Sequence, residues 1–85
     1  MSKELSEYHE LNKIGTYSIC LIGYSRGKGS YRIYYSEPSF FVLRLNYLQE
    51  ELRKRGYEIY RIAREKKDEP IGVFTKRVYF RKVKN

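Results

Sequence analysis

Ser36-Glu37-Pro38-Ser39-Phe40-Phe41-Val42-Leu43-Arg44-Leu45-Asn46-Tyr47-Leu48-Gln49-Glu50-Glu51-Leu52-Arg53-Lys54-Arg55-Gly56 is the stretch that decides the fold. Phe41, Leu45, Leu48 and Leu52 recur at intervals of four, three and four, which draws one apolar stripe along a helix. Ser36 or Ser39 can supply a capping oxygen, and Pro38 suits a first turn because its missing N–H has no helical partner there. Arg53, Lys54 and Arg55 place cations at the negative end of the helix dipole, and Gly56 is the left-handed residue expected just beyond. The spacing predicts a helix over 39–55.

On the N-terminal side, residues 16–25 read as a strand. Ile19, Leu21 and Ile22 put apolar side chains on both faces, as a strand at the centre of a sheet requires. Arg26-Gly27-Lys28-Gly29-Ser30 then forms a tight basic turn into a second strand, 31–35, because glycine accepts the positive φ of hairpin loops. Ahead of them Ser2 can cap a helix with Leu5, Tyr8 and Leu11 or Asn12 on one side, ending before Gly15. On the C-terminal side Gly56 stops the long helix, and 57–65 resumes as a strand rich in β-formers. Residues 66–72 carry the Pro and Gly punctuation of a loop, and 73–83 form the last strand. The expected fold is α+β: a four-stranded, mostly antiparallel sheet with one long helix on one face, in the order (α)ββαββ. The 85 residues are read as one domain, with 1–14 a short N-terminal helix or arm and 15–85 the ββαββ core.

The net charge of +8 is confined to one part of the chain. Residues 1–52 hold six Lys/Arg against six Glu, whereas 53–85 hold twelve Lys/Arg against four acids. Tyr57, Tyr60, Phe74, Tyr79 and Phe80 are interleaved with those cations. Cations attract phosphates and rings stack on bases, so DNA or RNA is the expected partner.

Alternation in the last strand puts Phe74, Val78 and Phe80 on one side and Thr75, Arg77, Tyr79 and Arg81 on the other. Arg77, Tyr79 and Arg81 are therefore the central candidates for nucleic-acid contact. Arg32 and Tyr34 of the second strand join the same face, and Tyr60 and Arg64 follow as further contacts. In the third strand Tyr60 and Arg64 would share a face with Ile62, and Arg61 with Ile59; the register stays open. Arg26 and Lys28 in the first turn, and Lys66 and Lys67 in the second loop, are flanking phosphate contacts.

Several classes are excluded or set behind this one. A single cysteine, Cys20, permits neither an internal disulfide nor a cysteine zinc cluster, and it reads as a buried structural thiol. No apolar run exceeds the length of Ile19 to Ile22, which is far below the roughly 18 residues that span a bilayer, so no membrane partner and a cytoplasmic protein are expected. Lys and Glu enrichment is a hyperthermophile tendency and points toward an archaeal or viral thermophilic source. Glu65-Lys66-Lys67 matches the Glu-x-Lys of restriction-type nucleases, but the required upstream aspartate is missing, Asp68 being the only one. Gly29-Ser30-Tyr31-Arg32-Ile33-Tyr34-Tyr35 resembles, over seven residues, a strand of metal-independent ribonuclease toxins, which would make the chain a small RNA-cleaving enzyme. The only histidine, His9, lies among Glu4, Glu7 and Glu10 and reads as a surface residue. No catalytic residue, metal or cofactor is assigned. Because Tyr and Arg also dominate protein interfaces, the alternative is an inhibitor or interaction module of a virus or mobile element that binds an acidic protein. A core this small also favours a homodimer, in which the Glu4, Glu7 and Glu10 side of the first helix would attract the basic half of another subunit.

Overall fold

The long helix forms where its stripe predicts. In the computed structural model, which describes residues 3–68 and 72–84, helix α2 spans Pro38–Lys54. Phe41, Leu48 and Leu52 are buried and Leu45 packs partly buried against them. The cap is Glu37, in extended conformation and without a side-chain hydrogen bond, rather than either serine. Gly56 takes a φ of +86° just past the helix, the conformation its position requires. The outward side of α2 leaves Phe40, Val42, Leu43 and Tyr47 exposed.

The other elements are α1 (Lys3–Asn12), β1 (Ile19–Ser25), β2 (Lys28–Tyr35), β3 (Tyr57–Ile62), β4 (Lys66–Asp68) and β5 (Val73–Lys82). They make an α+β structure whose antiparallel sheet has five strands rather than four, with two helices. The strand order is β1-β2-β5-β3, with β4 also paired to β5. β3 and β4 follow one another along the same edge of β5, so 66–68 belong to the sheet and not to the loop expected there. A Lys-Lys-Asp run carries no strand signal of its own; its pairing is imposed by the long partner β5. Pro70 lies outside the described residues.

β1, expected at the centre, is an edge strand. Its doubly apolar pattern misleads because the register shifts between Leu21 and Gly23, leaving Ile22 as the extra residue of a bulge and 42% exposed. The same bulge returns Tyr24 to the core side, where it stacks on Phe80. The interior strands are β2 and β5, the second hairpin's last strand having inserted beside the first hairpin.

Phe80 is the hub of the core. Fully buried, it meets Tyr31, Tyr24 and Tyr57 at ring-centroid distances of 5.2, 6.0 and 5.6 Å. Its cross-strand partner is Gly29, and a Cβ built on Gly29 would lie 2.6 Å from the Phe80 ring and 2.4 Å from the Gly23 carbonyl oxygen. Of the two glycines assigned to the turn, only Gly27 has a positive φ, +78°, next to Arg26 at +54°. Two successive positive-φ residues make the tight two-residue hairpin turn. Gly29 instead clears space for a ring. Gly29→Ala is expected to destabilise the protein by about 1–3 kcal/mol through overpacking, measured as a shift in urea unfolding midpoint.

α1 is docked to this core. Leu11 and, just past the helix, Ile14 are buried, and the Tyr31 hydroxyl donates to the Leu11 carbonyl at 2.6 Å. Glu7 makes an ion pair with Lys82 and accepts hydrogen bonds from the Tyr24 and Tyr57 hydroxyls at 3.2 and 3.1 Å. The acidic helix thus meets the basic half of its own chain. The hydrogen bond from Lys82 outweighs the opposing cost of burial and holds the Glu7 carboxyl below its ordinary value of 4.5. A lowered carboxyl pKa adds stability that is full above that ordinary value and is lost as pH falls through the lowered one. Glu7→Gln is therefore expected to be less stable than the parent at pH 7, with the gap closing in urea titrations as pH falls below 4.5.

Candidate nucleic-acid interface

With both helices covering one side of the sheet, period-two alternation decides what the other side shows. From β2 come Ser30, Arg32 and Tyr34, and from β5 Thr75, Arg77, Tyr79 and Arg81. The register places Tyr34 beside Thr75, Ser30 beside Tyr79, and Arg32 directly opposite Arg77. Two arginines facing each other on adjacent strands repel, and neither has a carboxylate partner among the described residues.

The edge formed by β3 and β4 does not keep period two. A register shift between Ile59 and Arg61 lets Tyr60 and Arg61 both reach the open face. The Arg61 guanidinium lies 5.3 Å from the Tyr79 ring centroid, and the Tyr60 ring lies 6.3 Å from Tyr79. Arg61 therefore shares the face of Tyr60 rather than that of Ile59, and Ile62 pairs with Val78 on the helix side. Between β3 and β4 the Ala63 N–H donates to the Arg77 carbonyl at 2.8 Å, and β4 then resumes with Lys66 opposite Thr75.

These elements enclose an open cleft of about 410 Å³ lined by Arg32, Tyr34, Arg64, Lys66, Arg77 and Tyr79, with Ala63, Lys67 and Thr75 completing the wall. Among the described residues no carboxylate lines it. Glu65, between Arg64 and Lys66, is turned to the helix side, where it accepts a hydrogen bond from the Tyr35 hydroxyl. Burial, reinforced by that bond to Glu65, pushes the Tyr35 hydroxyl well above the usual tyrosine range, so it stays a donor. Lys67, opposite Phe74, carries its ammonium 5.7 Å from the Phe74 ring centroid on the helix side; it borders the cleft without pointing its charge into it.

The remaining candidates lie at the other end of the sheet. Arg81 donates to Glu58 at 2.9 Å and covers the Tyr60 ring at 5.0 Å. With Arg26 and Lys28 it lines a separate groove of about 920 Å³ that also contains Glu7, Glu58, Lys82 and Lys84. Of the central triple, then, Arg77 and Tyr79 belong to the cleft between β2, β4 and β5, while Arg81 has a carboxylate neighbour. Tyr60 stands between the two sites.

The structure adds Arg61 to the face; alternation separates it from Tyr60 and leaves the register open, and only a signal for the bulge would have placed the two together. Cys20 is half-buried opposite Arg32 rather than enclosed in the core, and His9 is exposed. Comparison with protein-family models, curated proteins and solved structures gives no match.

The facing arginines should cost the free protein stability. Arg77→Thr is expected to raise stability by about 0.2–1 kcal/mol in low salt, with added salt closing part of the difference, measured by urea unfolding.

Proposed function

We propose that this chain is a small nucleic-acid-binding protein whose open sheet face holds the phosphate backbone. The observation that carries the proposal is the Arg32–Arg77 pair on the two interior strands, inside a cleft that Arg64 and Lys66 also line and that, among the described residues, no carboxylate enters. Like charges opposed in this way repel in the free protein and are relieved when an anion lies between them. A polyanion can satisfy several such cations at once and releases its counterions in doing so. Tyr34 and Tyr79 in the same cleft supply ring faces for bases, which a purely electrostatic anion site would not need. The role is binding without a chemical step.

Arg32→Ala combined with Arg77→Ala should weaken binding to a labelled oligonucleotide roughly tenfold or more and reduce the slope of log affinity against log salt by about two. Fluorescence anisotropy across a salt series measures both quantities. A control pair on the outer side of α2, Arg53→Ala with Lys54→Ala, should leave the cleft-dependent affinity within about threefold. Unchanged affinity in the Arg32 and Arg77 variant would remove the cleft as the site. A shallow salt slope in the parent protein would point instead to an acidic protein partner.

A further inference from the structure

Resting on the proposed nucleic-acid function, we infer that the ligand is a single strand, DNA or RNA, and that Tyr34 is the ring on which a base stacks. The width of the face argues against duplex readout. Four strands lie side by side in the order β1-β2-β5-β3. At about 4.8 Å between neighbours, the backbone alone spans on the order of 14 Å, before side chains are added. The major groove of a duplex is about 12 Å wide and admits one helix or a two-stranded ribbon. Both helices pack on the opposite side of the sheet, and β2 and β5 are flanked on both edges, so neither a helix nor an isolated ribbon projects from this face.

The aromatic side chains point the same way. A duplex hides the faces of its bases in its own stack, whereas an unpaired base offers them, so half-exposed rings beside arginines suit a strand whose bases are free. Three tyrosines stand on the open face. Tyr79 is covered by the Arg61 guanidinium and Tyr60 by that of Arg81, at 5.3 and 5.0 Å. Tyr34 has no ring or cation contact among the described residues, and it lines the cleft with Arg32 and Arg77. It is the platform with a free face next to the cations that would hold the phosphates. A strand running from this cleft along β5 passes Tyr79 and reaches Arg81 and the groove beyond, roughly 13 Å from Arg77 at the rise of a strand.

Binding of fluorescein-labelled dT15, U15 and a 15-base-pair DNA duplex to the full chain at low salt tests this, with anisotropy as the readout. At least one of the two single strands should bind about tenfold or more tighter than the duplex. Tyr34→Leu should weaken single-strand binding about 5- to 100-fold with the salt slope unchanged, and Tyr34→Phe should restore it, because the ring and not the hydroxyl stacks. Circular dichroism melts confirm that both variants are folded, and the comparison of strand with duplex needs no variant. Equal or tighter duplex binding, or a Tyr34→Leu protein that binds single strands like the parent, would overturn the single-strand inference while leaving a salt-dependent nucleic-acid site in place. Absence of binding to all three ligands would remove the nucleic-acid function itself, and this inference with it.

Discussion

The ring of Phe80 seated against Gly29 is the contact on which the rest of the molecule depends. Only a residue without a Cβ lets β2 approach β5 at that point, and the fit fixes how the two interior strands slide against one another. A one-residue slip would send every side chain of a strand to the other face. The register that seats Phe80 on Gly29 also buries Tyr31 beside Val78 and sets Arg32 opposite Arg77. Core and cleft are thus two sides of one pairing, and a change that loosens the first would disperse the second.

Charge separation completes the arrangement. The chain has enough carboxylates to neutralise part of its basic half, but hydrogen bonds and ion pairs hold three of the described ones away from the cleft. Glu65 is taken by Tyr35 on the helix side, Glu58 by Arg81 at the far end, and Glu7 by Lys82, Tyr24 and Tyr57 under α1. Tyrosine hydroxyls recur in this list because a buried hydroxyl is a neutral donor that can fix a carboxylate without adding another charge. The ten tyrosines of the sequence accordingly serve two ends: some order the core and its acids, and others present rings to solvent.

What the sequence made legible was what local periodicity and turn chemistry govern. The stripe of Phe41, Leu48 and Leu52, the stop at Gly56, the first hairpin and the two-sided pattern of β5 all follow from spacing alone. Strand order does not, because apolar residues on both faces of β1 resemble those of an interior strand until Ile22 is seen to be a bulge. β4 was illegible for the opposite reason: Lys66 and Lys67 have a loop's composition and are held in the sheet by Val73, Phe74 and Thr75 across from them. At the site, Arg32, Tyr34, Arg77 and Tyr79 could be placed on one face by alternation. Arg61 could not, since the irregularity beside Tyr60 inverts its side, and the pairing of Arg81 with Glu58 depends on a register that no local pattern encodes.

The central strand β5 is also the last of the five in chain order, and it pairs with β2, β3 and β4. A chain emerging from the ribosome can close the first hairpin and wind α2 early, but it has no finished sheet to lay the helix on until Val73–Lys82 arrives. Until then Tyr31, Ile33 and Leu48 have no permanent cover. Long-range pairing of this kind slows folding relative to a hairpin-by-hairpin meander. The edge irregularity at Ile22 then acquires a kinetic use: a bent, bulged β1 is a poor template for a second chain during the interval in which the first is still incomplete.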